Sequence, residues 1–278
     1  MTNKARAHST LARGAALMAL LITVAVAAPL LSPYPPNATL DLLALKSCAP
    51  SWAHPFGTDA YSRDVLSRVL HGARVSLAFS LASATLVLVI GTAYGALAAF
   101  SPPLLRTVLR RALDVAMSVP RLLVLLAVAG VAGPFDLAAL VWLISATGWF
   151  ATARMVTGEL DALATREFAL AARAQGVRAS RLVLRHLAPH LAPLLAVAGT
   201  FGVANAIGLE AGLSFLGLGI QPPTASWGTI LRDGAGVIRS QWWLTVFPGI
   251  AMILPVVACN AVGDALRDRF ALTQFDRP

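Results

Sequence analysis

Charge is scarce in this sequence: Asp, Glu, Lys and Arg together make up 13% of 278 residues, about half the share that soluble domains carry. Cysteine is nearly absent. Cys48 falls in a polar segment and Cys259 in an apolar run, so neither a disulfide framework nor a Cys metal site is supported. The five histidines (His8, His54, His71, His186, His190) are scattered, which removes a His-rich metal cluster. No GxxxxGK[ST] stretch occurs, so the chain has no standard phosphate-binding loop for ATP. No nucleophile and base are spaced for catalysis, and no low-complexity segment or convincing internal repeat is present.

What is abundant is apolar sequence: 57% of residues are hydrophobic and the mean hydropathy is +0.72. A membrane-spanning helix needs roughly 20 mostly apolar residues, and six stretches meet or approach that. They are 14–31, 75–100, 117–133, 137–153, 191–209 and 242–263. The third is the weakest because Arg121 lies near its start, and Pro248 and Pro255 predict bends in the sixth. These spans place no ionisable group away from their ends. The expected fold is an all-α integral membrane protein with six transmembrane helices.

The net charge of +9 does not argue for nucleic acid, because no basic soluble domain remains once the spans are set aside. It follows instead from orientation. With both termini cytoplasmic, segments 1–13, 101–121, 154–190 and 264–278 hold 16 of the Lys and Arg residues and the opposite side holds 6. That satisfies the positive-inside rule. The first span resembles a secretory signal in its basic start, but its apolar core is too long and Pro29 stands where cleavage would fall. It is read as an uncleaved helix.

The segments divide the chain into a cytoplasmic start (1–13), a first span (14–31), an extracytoplasmic segment (32–74), a core of five spans (75–263) and a cytoplasmic tail (264–278). Within 32–74, the prolines of SPYPPN favour extended chain. The later GTDAYSRDVLSRVLHGARVSL reads as a turn and a short amphipathic helix, either lying on the bilayer or capping a partner. Segment 210–241, with SFLGLGIQPPTASWG, mixes apolar residues with Gly and Pro and suggests a re-entrant excursion. Glu210 at its start has two readings, contact with a permeating solute or anchorage of the helix end. Ser214 and Phe215 share its stretch and are candidates for a translocation path or outer gate. Gly91 and Gly95 form a GxxxG that permits close helix approach without naming the partner.

The cytoplasmic stretch 165–190, TREFALAARAQGVRASRLVLRHLAPH, is the polar exception. Thr165 is a possible cap for a helix over FALAARAQ, Gly176 a helix stop, and Ser180 the cap of a second helix ending before Pro189. Ala169, Ala171, Ala172 and Ala174 leave the first helix a bare surface suited to a groove in another protein. Its arginines suit acidic rims or carbonyls there. Docking on anionic lipid is the other reading, but the helix offers mainly Phe168 and Leu170 as apolar anchors.

This stretch resembles the coupling loop of ABC importer membrane subunits, Glu-Ala-Ala-x3-Gly-x9-Ile-x-Leu-Pro. Ala171, Ala172, Gly176 and Pro189 match it in spacing, and Leu170, His186 and Ala188 depart from it. The departures, together with HPFGTDAYSRDVLSRVLHGARVSL (54–77), LEAGLSFLGLGIQPPTASWG (209–228) and FPGIAMILPVVACNAVGDALRD (247–268), resemble the dipeptide/oligopeptide/nickel branch. Ser62 stands where that branch usually has Gly, and the tail DRFALTQFDRP is atypical. The resemblance implies a type I importer permease in a bacterial inner membrane, itself non-catalytic. It pairs with a second, homologous permease, two cytoplasmic ATPases that hold ATP and Mg, and an extracytoplasmic solute-binding protein. Glu167, Arg173 and Arg185 would help hold the coupling helix to its ATPase, and Gly176 would set the turn. Peptides are the implied cargo, with nickel or a nickel chelate as the alternative. A secondary transporter needing no ATPase is the remaining class, and the spans lack the mid-membrane ionisable groups such proteins often use.

Overall fold

The computed structural model describes residues 2–133, 135–175, 177 and 187–275. Gly176, Arg178, Ser180, Arg181, Arg185 and His186 lie outside them, and with them the expected second helix of the 165–190 stretch. The side chain of Arg173 also lies outside the description.

The described residues are almost entirely helical, with two isolated β-bridges, Thr58 with Asp64 and Phe135 with Ile220. Helix α1 spans Thr2–Val26 and α2 Ala28–Leu31. An extended segment then leads to α3, Val65–Phe100, and to α4, Pro103–Ser118. Next come α5 (Arg121–Ala132), α6 (Leu137–Ala164) and α7 (Glu167–Ala174). The described chain resumes in α8 (Ala188–Phe215), α9 (Trp227–Ala235) and α10 (Trp243–Phe275). Five helices are long and apolar enough to cross a membrane, or six spans if the bent pair α4–α5 counts as one.

Three boundaries differ from the sequence reading, each for a local reason. The amphipathic helix and the second span are one element, because nothing between Val65 and Arg74 breaks a helix. Asp64 caps it, its carboxylate accepting from the Ser67 N–H. Val65 and Val69 then join the core formed with Trp227, Ile230 and Trp243.

The third span, expected as one run over 117–133, is broken into α4 and α5, bent by 75°. Pro120 is the cause. It has no N–H for an α-helical bond and forces the preceding residue out of helical geometry; Val119 is extended at φ −86°, ψ 126°.

The fourth span continues well past residue 153 to Ala164. Its added turns bury Val156, Leu160 and Leu163, while Arg154 pairs with Asp114 and Asp161 with Arg110. Thr165 ends this helix rather than starting the next.

Close packing follows from small residues. A Cβ on Gly91 would lie 2.6 Å from Thr152 Cβ, and one on Gly95 2.7 Å from the Ala153 carbonyl oxygen. The GxxxG of α3 is therefore its contact with α6. Likewise Gly14 sets α1 against α10, where its Cβ would come 2.9 Å from Val262 Cγ2.

Candidate coupling surface and translocation cavity

Helix α7 closes one end of the bundle. Its two faces separate at helical spacing: Ala169 and Ala172 are buried, whereas Glu167, Phe168, Leu170, Ala171 and Ala174 are exposed. Ala169 and Ala172 pack with Leu160, Leu163, Leu187 and Leu191. The alanines thus do two jobs. One pair seats the helix on its own bundle, and Ala171 and Ala174 leave the outer face low. Ala172 thus belongs to the inner face rather than to the bare surface expected to be offered to another protein. Pro189 is the second residue of α8 and exposed, where its missing N–H costs nothing because first-turn N–H groups have no helical acceptor. The Phe168 and His190 rings approach at 5.3 Å across the junction.

Above α7 a cavity of 1240 Å³ opens among α3, α5, α6, α8 and α10. Phe168, His190 and Arg267 line its α7 end, and Arg121, Gly148 and Asn205 line it farther in. Arg121 was read as a residue at the start of a span. Because the span breaks at Pro120, the side chain instead projects among α6 and α8. Its Nη2 donates to the Ile144 carbonyl at 2.7 Å, its Nη1 to Asn205 Oδ1 at 3.1 Å and its Nε to Thr147 Oγ1 at 3.3 Å. The one signal in the sequence was an arginine behind a proline in an otherwise apolar run.

Glu210 and Ser214 are elsewhere. Glu210 is fully buried, its Oε1 accepting from Ser226 Oγ at 2.7 Å and Ser214 Oγ at 2.8 Å, its Oε2 from Ser76 Oγ at 3.2 Å. Ser214 Oγ in turn accepts from the Ile220 N–H. This network ties α3, α8 and the start of α9 together, and neither residue lines the cavity. Phe215 is half exposed and also outside it. Burial with three hydroxyl donors makes Glu210 and Ser214 a joint between helices.

A second polar cluster holds segment 32–64 to the bundle. Asp59 accepts from Arg63 Nε and Arg68 Nη1, both at 2.6 Å, and Arg68 also reaches Asp233 of α9 at 2.9 Å. His54 Nδ1 lies 2.9 Å from Asp64 Oδ1. Because Asp59, Asp64 and Arg68 are almost wholly buried, breaking one partner would strand a charge. This cluster is structural, fixing the extended segment over the ends of α3 and α9.

Comparison with known proteins gives the same architecture. A family model described as "Binding-protein-dependent transport system inner membrane component" matches residues 88–272. The chain is 40% identical over 259 residues to a Brucella suis protein provisionally named a peptide permease, covering 92% of this chain and 85% of that one. It is 35% identical over 256 residues to the dipeptide transport system permease protein DppC of Bacillus subtilis, covering 92% and 79%. A solved structure of the MetNI methionine ABC transporter in an inward-facing conformation superposes with a TM-score of 0.56 at 20% identity, over 72% of this chain and 96% of that one. The last shares the fold. With the helices, the cavity and these relatives together, the chain belongs to the family of inner-membrane components of binding-protein-dependent transport systems.

Proposed function

We propose that this chain is one permease subunit of an ATP-driven ABC importer of di- and oligopeptides, with α7 as its coupling helix. The observation that carries the reading is the division of α7. Its inner face is locked to α6 and α8 through Ala169 and Ala172, and its outer face, including Glu167 and Ala171, is open to a partner. A helix fixed on one side and presented on the other transmits force as a lever, since motion of whatever grips it must tilt the helices it is packed on. The peptide assignment is supported by the names of the Brucella and Bacillus relatives.

In this reading the α7 end is cytoplasmic and the 32–64 end extracytoplasmic, in line with the excess of arginine at the former. Two ATPases grip this α7 and its counterpart in a second, homologous permease. ATP closure draws the coupling helices together, the bundles tilt, and the cavity exchanges access from one side to the other. A binding protein delivers the solute. The chain's own residues seal, tilt and line the path, and ATP and Mg are held by the ATPases. The close α3–α6 contact at Gly91 and Gly95 couples these two helices, so movement at Ala164 is passed to α3.

Reconstitution tests the reading. The permease pair, the ATPases and the cognate binding protein are placed in proteoliposomes and supplied with labelled dipeptides, tripeptides or Ni²⁺. ATP-dependent peptide uptake is expected. Uptake without ATP would overturn the coupling assignment, and uptake of Ni²⁺ with no peptide would overturn the cargo.

A further inference from the structure

Arg121 sits deep in the bundle. Ile144, whose carbonyl it reaches, is seven residues beyond Leu137, about 10 Å along the axis. Asn205 is ten residues short of Phe215, about 15 Å by the same rise. Against a hydrocarbon core about 30 Å thick, these distances place the guanidinium a third to a half of that thickness in from the helix ends.

Its partners there are a carbonyl, a hydroxyl and an amide. The ion pairs found among the described residues do not include Arg121. A guanidinium has five N–H donors and stays charged, and three of the five are engaged. The positive charge is therefore held by neutral dipoles alone, a costly arrangement at this depth that marks functional residues in membrane proteins. Space has been made for it as well: a Cβ on Gly148 would lie 2.7 Å from Arg121 Nη2. Both Arg121 and the exposed Asn205 line the cavity.

We propose that Arg121, assisted by Asn205, receives the carboxylate of the transported solute as it crosses the cavity. The inference rests on the peptide-import reading, which supplies a cargo ending in a carboxylate. A guanidinium matches a carboxylate with two parallel N–H donors. The three bonds to α6 and α8 hold its plane in place, so little ordering accompanies binding. Asn205 accepts from Arg121 through Oδ1, which leaves its amide N–H groups as further donors. The solute neutralises a charge that the protein leaves unpaired, and the weak neutral partners let it go again.

The test uses the complete reconstituted transporter, with uptake measured at saturating loaded binding protein for a dipeptide and for its C-terminal amide. Arg121→Gln is expected to slow uptake of the free-acid dipeptide by about 10-fold or more, the value of a charge-assisted bond, and to leave the amide unchanged. Arg121→Lys should fall between. Equal loss for both peptides, or loss for neither, overturns the proposal. A second readout is independent of cargo: phenylglyoxal labelling of Arg121 in the purified wild-type complex, followed by mass spectrometry. Acetate should protect Arg121 and acetamide should not; equal protection by both overturns the carboxylate site. If the wild-type complex imports neither peptide while acetate still protects, the peptide reading fails and the carboxylate site stands.

Discussion

Glu210 Oε1 accepts from Ser226 Oγ at 2.7 Å across the turn that joins α8 to α9. With Ser214 and Ser76 on the same carboxylate, one acid holds three elements. Its removal is predicted to cost more than a single bond, because three buried hydroxyls lose their acceptor together. Glu210→Ala should destabilise the subunit by about 3 kcal/mol, taking the three buried hydrogen bonds at about 1 kcal/mol each, while Glu210→Gln, which keeps a carbonyl acceptor, should cost less. Thermal unfolding of the purified complex in detergent reads the difference, and an unchanged midpoint for Glu210→Ala would refute the joint.

Gly95 is predicted to tolerate no side chain. A Cβ there meets the Ala153 carbonyl at 2.7 Å and Val156 Cβ at 2.8 Å, so two backbones must separate. Gly95→Val should cost about 1–3 kcal/mol from overpacking and reduce ATP-driven uptake by loosening α3 from α6. A variant with normal stability and normal uptake would show that the two helices need not move together.

The spans and their order were legible because apolar run length is a local property of the chain. The rest depended on partners distant in sequence. Gly91 and Gly95 announced a close approach, but nothing local said that Thr152 and Val156 would be opposite. Glu210 looked like a solute ligand or an anchor because Ser76 and Ser226, which saturate it, lie 134 and 16 residues away. Arg121 counted as a span-end charge until the break at Pro120 turned α5 and carried it inward. Ser62, read only as a departure from a motif, proved to be a matter of backbone geometry.

That geometry gives a stabilising prediction. Ser62 has φ +58°, in the left-handed region that costs a residue with a Cβ about 1–2 kcal/mol. It is fully buried, and its hydroxyl has no partner. Its backbone bonds, from Leu40 N–H and to the Asp59 carbonyl, do not depend on the side chain. Ser62→Gly removes the strain and the unpaired hydroxyl at the expense of added freedom in the unfolded chain, for a net gain of about 1 kcal/mol. A rise of about 2–4 °C in the unfolding midpoint is expected for a domain of this size, and a fall would contradict the strain argument.

The two alanines of α7 allow seating and docking to be separated. Ala172→Glu places a carboxylate among Leu160, Leu163, Leu187 and Leu191, where burial of an unpaired charge is prohibitive. The helix should lift, and limited proteolysis should cut near residues 165–175. Ala171→Glu adds the same group to the exposed face, leaving the seat intact and the proteolytic pattern unchanged. Both variants should insert in the membrane and lose solute-stimulated ATPase activity. Only the second should do so with α7 still protected, which isolates the contact with the ATPase. Normal stimulation in Ala171→Glu would mean that the outer face of α7 meets no partner, and the lever would have to be sought elsewhere on that end of the bundle.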